Sequence, residues 1–284
     1  NMELTLQEPD PTDHGAFSEF ADVYLRANDR RIDLPWLPPE LQVILAGDDY
    51  VRTDVVQARL GDQVVAVGWA DLPERDNTKV AYIEIAVPPE LRRNGYGTAI
   101  LNWLAARALE DGRETLLCES VRAADEQTGP GREFAMARGF EFDTINAQRE
   151  LLLPSEQPPA EPRDGYTLQS WRGEPPPDLI DDYAHLRALL NSEAPSGETG
   201  LENEFWDADR LRLEVDQWWR QRRTAQTVVA LAPDGTLAGH TQLLFPAKSG
   251  VVYQWDTLVL PEHRGHGLGL ALKREAMIAA DELL

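Results

Sequence analysis

The chain has 284 residues, of which 42% are hydrophobic and 8 are Trp, enough for two ordinary cores and too apolar for a disordered protein. Its 49 acidic and 27 basic side chains leave a net charge of −22, which argues against general binding to nucleic acid or to an anionic membrane and suits either a solvated surface or a cationic substrate such as an amine. One cysteine, Cys118, rules out an intrachain disulfide and fits a reducing cytosol, and no apolar run approaches the roughly 18 residues of a membrane span, so a cytoplasmic protein is expected.

Asn1 ahead of Met2 reads as a vector remnant. Leu4–Gln7 reads as a first strand. A Pro-broken turn follows, with Asp or Thr available as a cap, and Phe17, Phe20, Ala21, Tyr24 and Leu25 then recur at helical spacing. A short helix from Pro39 to Ala46 stops at Gly47. Val55–Leu60 and Val64–Leu72 form a hairpin around Gly61-Asp62, and the strand Val80–Val87 runs into a glycine-bearing loop. Thr98–Leu109 is an amphipathic helix, Thr115–Glu119 a strand, Gly131–Arg138 a short helix, and Phe140–Leu153 a returning strand or hairpin. Cys118, between Leu117 and Glu119, reads as a small buried hydrophobe.

Pro154 to Gly165 is a Pro-rich, acidic linker, after which the pattern restarts. Tyr166-Thr167-Leu168-Gln169 echoes Leu4-Thr5-Leu6-Gln7. Leu179–Leu190 is a helix, and Ala208–Arg222 is another with Leu211, Val215, Trp218 and Trp219 on one face. Val228–Leu231 and Leu237–Leu244 pair across Pro233-Asp234-Gly235, Val251–Val259 feeds a second glycine loop, and Leu270–Leu284 is its helix. The chain is therefore an internal tandem: residues 1–153, a linker over 154–165, and residues 166–284, each half α+β. The second half has no counterpart of the first half's last strands and short helix. A natural chain about 40 residues longer, or a strand supplied by another chain, is the expectation.

The repeated loops carry the chemistry. Val87-Pro88-Pro89-Glu90-Leu91-Arg92-Arg93-Asn94-Gly95-Tyr96-Gly97 and Val259-Leu260-Pro261-Glu262-His263-Arg264-Gly265-His266-Gly267-Leu268-Gly269 both read V-x-P-E-x-R-x-x-G-x-G, between a strand and a helix. Glycines there let backbone N–H groups close on a ligand, and the helix N-terminus adds unpaired donors, so each turn suits a phosphate or pyrophosphate. Neither copy is a Walker A loop, because no Lys-Ser/Thr follows.

Arg92-x-x-Gly95-x-Gly97 and Arg264-x-x-Gly267-x-Gly269 resemble the acetyl-CoA loop of the GNAT N-acetyltransferase superfamily, and Arg138-Gly139-Phe140 resembles the Gly-Phe ending late in such domains. The resemblance covers nearly the whole chain and points to tandem members such as mycothiol synthases. It implies two GNAT-like domains, each a mixed, splayed sheet with flanking helices, the second truncated. It also implies acetyl-CoA as cosubstrate, an amine acceptor attacked directly, no metal, a monomer or homodimer, and one catalytic half beside a degenerate one. The implied CoA-contacting residues are Val87, Arg92, Arg93, Asn94, Gly95, Tyr96, Gly97 and Thr98 in the first half. In the second they are Val259, Arg264, Gly265, His266, Gly267, Leu268, Gly269 and Leu270.

Glu84 and Asp256 stand three residues before the loop valines. Each is a candidate general base or a strand-edge acid. The family's usual Tyr, four residues before the late Gly-Phe glycine, is replaced by Ala135, which makes the second half the better catalytic candidate. His240 faces an acceptor cleft or is a satisfied strand histidine, His263 and His266 lack a third metal ligand nearby, and the acidic segment Glu202–Asp209 with Phe205 and Trp206 could cover a cationic acceptor. The competing class is a non-catalytic acyl-CoA-binding regulator.

Overall fold

A computed structural model describes residues 2–193 and 200–284, without the side chains of Leu190 and Asn191. The vector remnant read at Asn1 lies outside the described residues. The chain divides into two compact units, Asn1–Phe142 and Asp143–Leu284.

The first unit is built on a sheet in the order β1-β2-β3-β4-β5. Its strands are β1 (Leu4–Gln7), β2 (Val51–Leu60), β3 (Gln63–Pro73), β4 (Val80–Ala86) and β5 (Thr115–Leu117). All neighbours are antiparallel except β4 and β5, which run parallel. One face is covered by α1 (His14–Ala27) and α2 (Pro38–Ala46), the other by α3 (Tyr96–Glu110). Helix α1 starts where Asp13 accepts a hydrogen bond from the Ala16 N–H at 2.8 Å. Phe17, Phe20 and Tyr24 then pack with Val55, Val67 and Trp69 of the sheet. On the far face, Ile100, Leu101 and Leu104 of α3 close over Val56, Ala70 and Ile83. A Cβ on Gly68 would lie 2.6 Å from Ile100 Cγ2 and 2.8 Å from the Glu84 carbonyl oxygen, so only glycine lets α3 and β4 approach β3 this closely. Helix α4 (Pro130–Met136) follows β5.

β4 and β5 pair only over Val80–Tyr82 and Thr115–Leu117. From Ile83 onward β4 has no ladder on that side, which opens a wedge at the end of β4 nearest the loop.

The second unit repeats the plan in the order β6-β7-β8-β9, all antiparallel: β6 (Thr167–Arg172), β7 (Arg223–Leu231), β8 (Leu237–Pro246) and β9 (Tyr253–Val259). Helices α5 (Ile180–Ala188), α6 (Leu190–Glu193) and α7 (Ala208–Arg220) precede β7, and α8 (Leu268–Ala279) follows the second loop. α5 and α7 share a core with Val229, Leu258 and Leu260, and α8 packs on Val228, Ala230 and Ala238 from the other side.

Four expectations change. Residues 140–153 form no strand: Phe142, Ile145, Leu151 and Leu152 stand exposed, so the first unit closes at Phe142 rather than at Leu153. Apolar content suggested a strand there, but a strand needs a ladder, and among the described residues neither sheet includes this stretch. Cys118 is exposed rather than buried, because β5 ends one residue before it. Trp219 is 78% exposed while Trp218 is 8%: the two are about 100° apart on the helix, and the packed stripe takes Trp218 and leaves Trp219 at its uncovered edge. The last helix ends at Ala279, with a 3₁₀ turn over Asp281–Leu283. Among the described residues no helix is long and apolar enough to cross a membrane.

Candidate active site

The two loops fold alike. Each begins with a 3₁₀ turn, Pro89–Leu91 or Pro261–His263, and ends in a helix N-terminus. Arg93 (φ 65°) and Gly95 (φ 84°) are left-handed in the first; Gly265 (φ 89°) and Gly267 (φ 74°) occupy the same places in the second. Such alternation turns successive N–H groups toward one point and makes an anion cradle beside the helix dipole. Arg92 and Arg264 brace the turn from beneath. Their Nε groups donate to the Val87 and Val259 carbonyls at 2.9 and 3.1 Å, and a second nitrogen of Arg92 reaches the Ala27 carbonyl. Asn94 Nδ2 likewise donates to the Leu91 and Arg92 carbonyls.

What lies over each cradle differs. In the first, Phe134 of α4 presses on Gly97, where an added Cβ would meet its ring at 3.1 Å. Arg138 stacks on that ring at 3.9 Å and donates to Thr98 Oγ1. In the second, a Cβ on Gly269 would meet nothing within 4 Å. Preceding chain borders this cradle: Arg163 Nη2 donates to the Gly265 carbonyl at 2.8 Å, Asp164 pairs with His266 Nδ1 at 2.5 Å, and Tyr166 stacks on the His266 ring. Gly269→Ala is thus expected to leave Tm unchanged or higher, since alanine is the better helix former, while costing charge-assisted phosphate contacts worth about 1.5–3 kcal/mol, roughly 10- to 150-fold in Kd for CoA. Gly97→Ala should lower Tm instead. Thermal melts and CoA titration of the two variants check both.

Glu84 sits on β4 opposite Trp69, at the mouth of the wedge. Burial, then the charges of Glu119 and Asp71, push its pKa up to about 7, and burial pushes Asp71 up to about 6 against hydrogen bonds from Thr53 and Trp69. Folded Glu84 therefore holds its proton between its ordinary 4.5 and about 7, where an unfolded chain does not. That contribution to stability is complete below pH 4.5 and is lost as pH rises through 7. Glu84→Gln is expected to melt above wild type at pH 8.5, with the gap closing by pH 5; a pH series of Tm values checks it.

Asp256 occupies the matching position on β9, half-buried, and it is reached by a different neighbourhood. Burial raises its pKa, Arg187 opposes the rise, and Glu214 and Glu204 add to it. Arg187 of α5 is buried and held by Glu214 of α7 through two bonds of 2.8 and 2.9 Å; it also stacks on Trp206 at 4.3 Å. The Tyr183 hydroxyl lies 2.8 Å from His240 Nδ1, with both rings buried. Burial, reinforced by the Arg187 charge, pushes His240 down to about 3, so its imidazole is neutral. At Asp256 the strand bulges: Thr241 pairs with Thr257 and Leu243 with Gln254, leaving Trp255 and Asp256 opposite Gln242 alone. β4 pairs with β3 across Glu84 without a bulge.

The residues under the two carboxylates explain the contrast. Matching the ladders by the loops aligns Val67 with His240, Trp69 with Gln242 and Val55 with Thr227. In the first unit the three matching positions are apolar, with Trp69 packed against Phe20 and Tyr24, and the polar residues of this face, Gln57 opposite Val67 and Asp71 opposite Thr53, stand to either side of them. In the second it is buried and polar, with Gln242 Nε2 donating to Thr227 Oγ1.

A family model described as "Acetyltransferase (GNAT) family" matches residues 19–129 and again 185–283. The chain belongs to this acetyltransferase (GNAT) family. The mycothiol acetyltransferase of Salinispora tropica is 29% identical over 241 residues, covering 79% of this chain and 68% of that protein; that of Salinispora arenicola is 28% identical over 231 residues with the same coverage. A tandem GNAT protein from the clavulanic acid biosynthesis pathway superposes with a TM-score of 0.73 at 21% identity, covering 99% of this chain and 86% of that one. A GCN5-related N-acetyltransferase from Sphaerobacter thermophilus gives 0.60 at 16% identity, covering 96% and 81%. The fold is thus two GNAT domains, and the activity is acetyl transfer from acetyl-CoA, the family's cosubstrate.

In this GNAT chain the open cradle at Gly269, the paired left-handed residues and the helix N-termini suit the cosubstrate's phosphates. Among the described residues no group of three or more His, Cys, Asp or Glu is arranged to hold a metal ion. The acidic segment expected to cover an acceptor borders a groove of about 480 Å³ beside α5, lined by Asp181, His185, Glu204, Phe205, Trp206 and Asp207. Sequence reading missed Tyr183, Arg187, Glu214 and Gln242. Their signal was the polar insertion His240-Thr241-Gln242 inside a strand whose ten residues are all buried.

Proposed function

We propose that this GNAT protein moves the acetyl group of acetyl-CoA to a primary amine of a small molecule by direct attack, with the second domain catalytic and the first degenerate. The observation that carries this reading is the buried run of His240, Gln242 and Thr227 beneath Asp256, set against Val67, Trp69 and Val55 at the matching positions beneath Glu84. An acceptor amine and its proton need polar groups behind the base. The second domain has them.

In the proposed step the neutral amine attacks the thioester carbonyl and a C–N bond forms as the carbonyl electron pair moves to oxygen. The Asp256 carboxylate accepts the proton that the nitrogen sheds. The oxyanion then collapses, the C–S bond breaks, and the departing thiolate takes up a proton. The raised pKa of Asp256 makes it a stronger base than an exposed aspartate while Arg187 keeps it ionisable. The net charge of −22 and the carboxylates around Trp206 favour a cationic acceptor approaching from solvent. The likeness to mycothiol acetyltransferases supports a small-molecule amine over a protein N-terminus.

A second reading, catalysis in the first domain, is favoured by Glu84, whose pKa of about 7 suits a base working at neutral pH. Release of CoA thiol from acetyl-CoA, measured over a panel of small amines and N-terminal peptides, tests the proposal. Turnover with at least one small amine is expected. CoA binding without thiol release across the panel would make the protein an acyl-CoA-binding regulator instead.

A further inference from the structure

Besides Arg187 Nε of α5, two buried polar atoms on the strand that pairs with Asp256's have no hydrogen-bond partner in the protein: His240 Nε2 and Gln242 Oε1. They belong to residues two apart on β8. Pairing with β7 is regular from Val229–His240 through Thr227–Gln242, so the two side chains share the face that carries Asp256's neighbours. His240 is 0% exposed and Gln242 1%, which puts both atoms out of reach of bulk water. Each such group left unmet costs free energy, and native proteins leave few of them.

The neighbours fix which atom donates. The Arg187 guanidinium, which can only donate, faces Tyr183 and interacts favourably with its oxygen. The arrangement that satisfies both groups has the Tyr183 lone pairs turned toward Arg187 and its O–H donating to His240 Nδ1, 2.8 Å away. A neutral imidazole that accepts at Nδ1 carries its hydrogen on Nε2. Gln242 donates Nε2 to Thr227 Oγ1, which leaves its Oε1 as an acceptor. One orphan is thus a donor and the other an acceptor. Two residues along a strand place their Cα atoms about 7 Å apart, a span that one bridging molecule with two hydrogen bonds of about 2.9 Å covers. Across the ladder, the bulge sets both Trp255 and Asp256 opposite Gln242.

We infer that His240 and Gln242 form a seat for one ordered water, which accepts from His240 Nε2–H, donates one hydrogen to Gln242 Oε1 and the other to the Asp256 carboxylate. His240 and Gln242 are then positioning residues. The water orients the carboxylate toward the acceptor and keeps it ionised in a half-buried place. The other groups facing Asp256 are Arg187 and Tyr183 of α5, Glu214 of α7 and Glu204, and none of them donates to its oxygens. The inference rests on Asp256 being the base only for its kinetic consequence; the seat itself follows from the two orphan atoms.

The test has two arms. A crystal structure of the wild-type chain, at a resolution that shows ordered solvent, is expected to hold one water within hydrogen-bond distance of His240 Nε2, Gln242 Oε1 and an Asp256 oxygen. Gln242→Met, close in volume and apolar, is expected to lose that water and to move the acid limb of the kcat/KM profile upward by about 0.5–1 pH unit, since a carboxylate deprived of a donor binds its proton more tightly. A merely structural role would lower kcat or Tm without moving the limb. Wild-type density with no water at the seat overturns the inference, as does loss of the water in Gln242→Met with an unmoved limb. Full turnover in Asp256→Asn would instead remove the base assignment while leaving the crystallographic arm to decide the seat.

Discussion

Asp256→Asn is expected to lower kcat for acetyl transfer by about 10²- to 10⁴-fold, the usual contribution of a positioned general base. Asparagine keeps the side chain's size and its place in the bulge but cannot take the amine's proton. Binding of CoA should change little, because the cradle at Gly265–Gly269 is built from backbone on the far side of Val259. The wild-type acid limb should lie above the ordinary aspartate range, in keeping with the pKa that burial raises against the opposing charge of Arg187. Raising pH to increase the free amine fraction should not rescue the variant, which separates a missing base from a protonated acceptor. Single-turnover acetyl transfer and CoA titration, run on both proteins, check these statements.

Glu214→Ala should cost about 3–5 kcal/mol of folding stability, a large effect for a single change. Glu214 grips Arg187 with both oxygens, and the Arg187 side chain is only 4% exposed. Removing the carboxylate leaves a charge that can neither reach water nor lose its proton, since the guanidinium's pKa is already far above neutrality. Replacing both partners by apolar residues of similar volume should recover most of the loss, because the cost lies in the unpaired charge. Urea unfolding would show a lower midpoint with an unchanged m-value for the single variant and a restored midpoint for the double one.

Much of this was legible in the sequence, for physical reasons. The tandem was readable because V-x-P-E-x-R-x-x-G-x-G demands the same left-handed turn twice, and few residue types satisfy it. The hairpins and amphipathic helices followed from the periods of two and 3.6 that their buried faces impose. The strand expected at 140–153 failed because alternation reports apolar character and not the presence of a ladder partner. Trp219 was misassigned because helical spacing sets the direction of an apolar stripe and not how much of its width a neighbouring element covers.

The candidate site was legible in part. Glu84 and Asp256 stood out by their distance from the loop, yet nothing local distinguished them: both are acids on a strand before a valine. The distinction comes from residues far away in sequence. Tyr183, Arg187 and Glu214 reach Asp256's surroundings from two helices, and Trp69, Phe20 and Tyr24 fill the first domain's equivalent space. Long-range burial of this kind leaves only a faint trace in sequence, here the three polar residues His240-Thr241-Gln242 inside a wholly buried strand.

The claim that the second domain does the chemistry is tested most directly by comparing Asp256→Asn with Glu84→Gln, side by side, on the amine that gives the fastest thiol release. A fall in kcat of about 100-fold or more is expected for Asp256→Asn, and a kcat within a few-fold of wild type for Glu84→Gln. Abolished turnover in Glu84→Gln with a fully active Asp256→Asn would contradict it and move the active site to the wedge beside β4.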